Sequence, residues 1–148
     1  MADSAAVASA AALQTLPTWI RALAAEFGDR TAIVGDSGRF TYAELDAISA
    51  RIARSLLAAG VGKGTHVGVC FPNGPEWVLA WLAVARIGAV AVPINTFSKT
   101  REFGWTLRHA DVAVLLTVAS LGSIDFLAQL EEIDPALREQ KPERVAST

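Results

Sequence analysis

The chain has 148 residues, one cysteine, 52% hydrophobic and 19% charged residues, and a formal net charge of -2. That length holds one domain with a sizeable core, and so apolar a composition demands extensive burial, internally or against a partner. The charge lacks the basic footprint of a nucleic-acid binder, and the lone Cys70 excludes an internal disulfide and suits a reducing compartment.

In chain order, residues 1–14 are mostly Ala and Ser with Asp3 near the start. They lack the basic n-region and apolar stretch of a signal peptide and read as a disordered arm. Helical spacing follows Thr15: Leu16, Trp19, Ile20, Leu23 and Phe27 share one face, Pro17 suits a first turn, and Gly28-Asp29 ends the helix. Thr31–Val34 and Arg39–Thr41 read as short strands paired across the turn Asp36-Ser37-Gly38. Thr41-Tyr42-Ala43-Glu44 has the form of a capping box, opening a long helix whose core face carries Leu45, Ile48, Ile52 and Leu56 while Arg51 and Arg54 point away. Gly60 stops it.

An α/β rhythm comes next. His66–Phe71 reads as a buried strand, Pro72–Pro75 as a loop, and Glu76–Ile87 as a helix apolar nearly all round, closed by Gly88. Ala89–Val92 is a strand, Thr100–His109 a helix, Val112–Thr117 a further strand and Ile124–Leu130 a last amphipathic helix. After Glu131 the chain turns polar, with Pro135 and Pro142 as breakers. Beyond the strands already named, no further strand is expected anywhere in the chain. Strands separated by single helices imply right-handed crossovers in a parallel sheet. The fold class is therefore α/β: three parallel strands with helices on both faces, plus a short hairpin. Three strands with exposed edges make a poor final sheet. The helix at Glu76–Ile87 must be covered on every side. The longest apolar run, Trp77–Ala85, falls far short of the about 20 residues that span a bilayer. No transmembrane segment is expected, and the cytoplasm is the default location.

Four stretches, in order, resemble the amino-terminal part of AMP-forming acyl-CoA synthetases, within the adenylate-forming superfamily: Phe40–Leu45; Gly60–Gly64 running into His66–Val69; Pro72–Trp77; and Gly88–Asn95. The resemblance runs from about Leu16 to Leu130. Thr65 stands where the family usually has aspartate, and Ala110-Asp111 replaces its usual glycine. The resemblance implies an incomplete doubly wound domain over residues 15–133, between the arm at 1–14 and a polar tail at 134–148.

It also implies a reaction: a carboxylic acid, most often a fatty acid, is joined to ATP as an acyl-adenylate and passed to coenzyme A. ATP, Mg and CoA are the cofactors of such an enzyme. Its Ser/Thr/Gly-rich phosphate loop ending in Pro-Lys does not occur in these 148 residues. Its adenine and magnesium stretch, its ribose aspartate and its carboxy-terminal lysine are also missing. The chain alone is expected to be catalytically incomplete and to bind no cofactor by itself. Two alternatives stand beside this reading: a subunit docking onto a separate chain that carries the rest of the enzyme, or a small stand-alone nucleotide or CoA module.

Single residues carry little chemistry. Gly60–Thr65 fails the Walker A pattern, since Gly64 sits where Ser or Thr is required and Leu57 where the first glycine belongs, so it reads as a helix-to-strand turn. His66 and His109 lack carboxylate or ligand partners at useful spacing. Cys70 reads as a buried small hydrophobe, and Trp77 with Trp81 as core packing. Neither a catalytic nor a metal-binding residue is assigned. Asn73 is the one site candidate. It follows the carboxyl end of a parallel strand, where open α/β sheets bind ligands, although a turn formed by the Asn side chain itself is the default explanation.

Overall fold

The computed structural model describes residues 15–139. Helix α1 (Leu16–Phe27) leads into a hairpin of β1 (Thr31–Gly35) and β2 (Gly38–Thr41), then α2 (Tyr42–Ala58). The alternating run is β3 (His66–Cys70), α3 (Pro75–Arg86), β4 (Val90–Pro93), α4 (Thr100–His109) and β5 (Val114–Thr117). A small hairpin, β6 (Ser120–Leu121) and β7 (Ile124–Asp125), precedes α5 (Phe126–Ile133) and a short 3₁₀ turn at Pro135–Glu139.

Local chemistry sets these boundaries. The Thr41 hydroxyl accepts the Glu44 N–H at 3.2 Å and the Glu44 carboxylate accepts the Thr41 N–H at 2.8 Å, so the expected capping box opens α2. Beyond the end of α2, Gly60 takes φ +84, and the Gly60 and Val61 amides close back on Leu57 and Leu56 carbonyls, both at 3.0 Å. Asp111 takes φ +47. Aspartate is among the few side chains that visit this left-handed region.

The three-stranded sheet has the order β4-β3-β5, with every pairing parallel. Since β4 lies on one side of β3 and β5 on the other, right-handed crossovers place α3 and α4 on opposite faces. Strand alternation supplies both faces with apolar groups. Val67 and Val69 pack with Ala53, Leu56, Ala80, Ala83 and Val84 of α2 and α3, alongside Ala91, Val114 and Leu116. Cys70 faces the other way with Ile94, Phe103 and Phe126, alongside Val92 and Leu115. Behind α3 a second layer joins Ile20, Leu45, Leu79 and Leu82 to Ile33 and Phe40 of the hairpin. Helix α3 is thus enclosed by the sheet on one side and by α1, α2 and the hairpin on the other, as its apolar composition requires. Trp77 and Trp81 stack at 6.1 Å and are half-buried. Truncating either should therefore cost less than the about 3–5 kcal/mol of a fully buried aromatic.

Some expectations are overturned. Trp19 is 41% exposed rather than part of the α1 core face, which rests on Ile20 at 3%. The helix expected over Ile124–Leu130 begins at Phe126, because Ile124 and Asp125 pair with Leu121 and Ser120 around Gly122 at φ +59. Asp125 then caps α5 by accepting the Ala128 N–H at 2.9 Å. The expectation of no further strand fails with it, since strands of two residues carry no periodicity to read. Pro135 opens a 3₁₀ turn instead of ending all structure. Residues 1–14 and 140–148, including Pro142, lie outside the described residues. Among the described residues no helix is long and apolar enough to cross a membrane.

Candidate functional site at the strand ends

The direction of winding reverses at β3, and open α/β sheets bind ligands beyond the carboxyl ends of strands where this happens. A cavity of about 510 Å³ opens there, lined by Phe71, Pro72 and Asn73 after β3, by Trp77 in α3, by Pro93, Ile94, Asn95, Thr96 and Phe97 after β4, and by Leu121 of β6. None of these side chains ionises. Asn73 is exposed and makes no hydrogen bond among the described residues. The bland explanation for it, a turn held by its own side chain, is not what this geometry shows. That role falls to Asn95, whose side-chain oxygen accepts the Phe97 N–H at 3.0 Å while its backbone carbonyl accepts the Ser98 N–H at 3.2 Å. The turn holds Phe97 at the cavity edge, 77% exposed.

The β1–β2 hairpin steadies this end of the sheet. Gly35 approaches Pro75, the first residue of α3, so closely that a Cβ on Gly35 would lie 2.5 Å from the Pro75 Cδ. Gly35→Ala should therefore lose about 1–3 kcal/mol in urea unfolding as the Asn73–Pro75 loop is pushed away. Gly62→Ala, with nothing within 4 Å of its would-be Cβ, should be neutral or gain a few tenths of a kcal/mol by restricting the unfolded chain.

The other candidates are structural. The Gly62–Gly64 turn packs Lys63 against Gly88, and the Gly64 N–H donates to the Gly88 carbonyl at 2.9 Å, at the amino ends of the strands and far from the cavity. His66 Nδ1 bonds the Ala110 carbonyl at 2.6 Å, tying β3 to the end of α4. His109 stacks on Trp105 at 4.4 Å on the exposed side of α4. Among the described residues no group of His, Cys, Asp and Glu could hold a metal ion. Cys70 is fully buried, and burial pushes its thiol above the ordinary value of 9.0 against an opposing hydrogen bond from Thr117. The thiolate is therefore scarce in the folded chain. Iodoacetamide at about pH 8 should leave native Cys70 unmodified over the time in which the urea-unfolded chain is alkylated, as read by mass spectrometry.

The site's partners after β4 were only partly foreseeable. Asn95 was visible as the end of a recognisable stretch, but Thr96, Phe97 and Leu121 join the cavity through the sheet order and the β6–β7 hairpin, which no local pattern announces.

The family model for the AMP-binding enzyme matches residues 20–147. The chain belongs to the AMP-binding enzyme family. It is 33% identical over 123 residues to YngI of Bacillus subtilis (strain 168), a protein named as an acyl-CoA synthetase, and the match covers 82% of this chain and 22% of YngI. It is 34% identical over 116 residues to crotonobetaine/carnitine–CoA ligase of Salmonella enteritidis PT4 (strain P125109), covering 75% of this chain and 22% of that one. Among solved structures it superposes on the Klebsiella oxytoca NpsA N-terminal subdomain in complex with 3-hydroxybenzoyl-AMSN, with a TM-score of 0.69, 31% identity, and coverage of 72% of this chain and 27% of that one. The chain spans about a fifth of the length of the curated relatives it matches, and corresponds to the amino-terminal part of this adenylate-forming family. The parallel sheet, its flanking helices and the first hairpin agree with that membership.

Proposed function

We propose that this chain forms the amino-terminal, ligand-facing wall of an ATP-dependent acid–CoA ligase that works through an acyl-adenylate. The observation that carries this reading is the convergence of two family-matching stretches, Pro72–Trp77 and the end of Gly88–Asn95, on one cavity at the carboxyl ends of adjacent parallel strands. The wall contributes shape and amide groups, not charge. Stabilising a transferring phosphoryl group requires positioned cations or metal, and no lysine, arginine or carboxylate among the described residues lines the cavity. ATP, Mg and CoA belong to the complete enzyme, whose phosphate-holding groups lie outside these 148 residues. Fatty acids are the first acid class to test, with aryl acids beside them because NpsA is seen with a 3-hydroxybenzoyl compound. A cytoplasmic location fits the single free, buried cysteine.

The 148-residue chain with ATP, magnesium and a panel of aliphatic and aryl acids is expected to give no acid-dependent pyrophosphate exchange. Exchange above a no-protein control would overturn the catalytic incompleteness of the chain. A second reading, docking onto a separate polypeptide carrying the rest of the enzyme, is favoured by the exposed Trp105 and Leu127 and by strands β4 and β5, which among the described residues pair on one side only. Co-purification with such a partner would support it, and a monodisperse, stable monomer would count against it.

A further inference from the structure

Helices α4 and α5 cover one face of the sheet, and their outer sides carry the features of a contact surface. Phe103 and Leu107 of α4 and Phe126, Leu130 and Ile133 of α5 turn inward onto Cys70 and Ile94. Opposite Phe103, the residues Arg101, Trp105 and Arg108 follow at steps of four and three and so form one stripe along α4. All three are exposed, and Trp105 is 59% open to solvent. Its ring stacks on the His109 imidazole at 4.4 Å, which fixes it as a standing apolar plate and lowers the cost of ordering it in a contact. A shallow hollow of about 530 Å³ runs beside it, lined by Ser98, Arg101, Glu102, Trp105 and Thr106. On α5 the exposed apolar groups are Leu127, at 52%, and its neighbour Ala128.

The two helices differ in sign. With its N-cap, α4 carries Lys99, Arg101 and Arg108 against a single carboxylate, Glu102. With its N-cap, α5 carries Asp125, Glu131 and Glu132 and no lysine or arginine. The helices lie side by side, with the Thr100 hydroxyl donating to the Glu132 carboxylate at 3.2 Å. The net charge of -2 for the whole chain thus hides a basic strip laid beside an acidic one. Such a surface is its own complement. Turned about a two-fold axis that runs between the helices, the basic strip of one copy lies over the acidic strip of the other, and the match is made twice.

We propose that the outer side of α4 and α5 is an interface between two copies of this chain, in which Trp105 of each copy seats against Leu127 and Ala128 of the other and the α4 arginines face the α5 carboxylates. Tryptophan and arginine are the residues that most often carry the energy of an interface, and here they share the α4 stripe. A different polypeptide would have to present both signs in the same order, whereas a second copy supplies them by symmetry. The contact lies on the side of the helices away from the sheet, so the edges of β4 and β5 stay outside it. It goes beyond the ligase reading and does not depend on it.

The test is sedimentation velocity of the 148-residue chain across the micromolar range, with three variants whose circular dichroism is first matched to that of the unaltered chain. The unaltered chain is expected to pass from one copy to two as its concentration rises. Trp105→Ser removes an exposed ring outside the core and should weaken the dimer about tenfold or more. Arg101→Glu with Arg108→Glu makes α4 acidic, and Glu131→Lys with Glu132→Lys makes α5 basic. Each of these double variants alone sets like charges against one another and should also lose about tenfold or more. An equimolar mixture of the two should dimerise more tightly than either, because the acidic α4 of one then lies over the basic α5 of the other, and the reverse pair of strips is complementary as well. That recovery separates an interface from a role in folding. An unaltered chain that stays monomeric throughout the range overturns the inference. So does a dimer indifferent to Trp105→Ser, or a mixture that associates no better than its components.

Discussion

Phe103→Ala is expected to cost about 3–5 kcal/mol, the range for emptying a fully buried aromatic position. Phe103 is 1% exposed and meets Phe126, also 1% exposed, edge-to-face at 6.0 Å between ring centroids. These rings fasten α4 and α5 to one face of a three-stranded sheet, with Cys70 and Ile94 beneath them. The neighbouring Gly104 is closed in as well, with Ile133 of α5 3.0 Å from its would-be Cβ, so the two helices approach closely and cannot easily collapse into the hole. A domain has about 5–15 kcal/mol in total, so most of the stability on this face would be lost. Urea unfolding followed by circular dichroism should show the midpoint fall by a large fraction of the starting value. Leu127→Ala on the exposed side of α5, where Leu127 is 52% exposed, should shift it by under about 1 kcal/mol. A small shift for Phe103→Ala would mean that α4 and α5 are not anchored to the sheet through these rings.

The elements that read well from sequence are those whose signals are local. The capping box at Thr41–Glu44, the stop at Gly60 and the turn at Asp36–Gly38 are each set by residues within a few positions of one another, and each forms. The three parallel strands were legible because continuous apolar runs between helices have few other uses. Their pairing order was not, since nothing within β5 says that it lies beside β3 and not β4. The β6–β7 hairpin escaped because its strands are two residues long. Trp19 misled because helical spacing assigns a face but not how far a partner covers it. At the site, Asn73 was visible through a general rule about strand ends, whereas the ring of Phe97 and the absence of charge emerge only when loops distant in sequence share one cavity.

The least legible feature carries the second large effect. Arg86 ends α3 and reaches α2, where its Nη2 donates to the Asp46 carboxylate and to the Asp46 carbonyl at 3.1 Å, and its Nε donates to the Ser49 hydroxyl at 3.0 Å. The contacts span 37 and 40 residues of chain, so no spacing argument finds them. Ser49 is fully buried and passes its own hydrogen to the Leu45 carbonyl, which leaves its oxygen to accept from Arg86. The ion pair is unevenly sheltered, with 9% of the Arg86 side chain and 27% of that of Asp46 exposed. Removing one partner of a buried pair costs about 3–5 kcal/mol because a charge is left without compensation. Asp46→Ala should fall below that, at about 2–3 kcal/mol, since water reaches the aspartate side and Arg86 keeps two other acceptors. Arg86→Met removes the charge itself and retains an apolar stem against the helices, leaving a neutral Ser49 and a partly solvated Asp46. It should therefore cost less than Asp46→Ala, the reverse of what a simple count of lost hydrogen bonds predicts. Paired urea titrations of the two variants decide the matter. If Arg86→Met proves the more damaging, the guanidinium serves chiefly as a cross-link between α2 and α3, and the cost of an uncompensated charge is the smaller term.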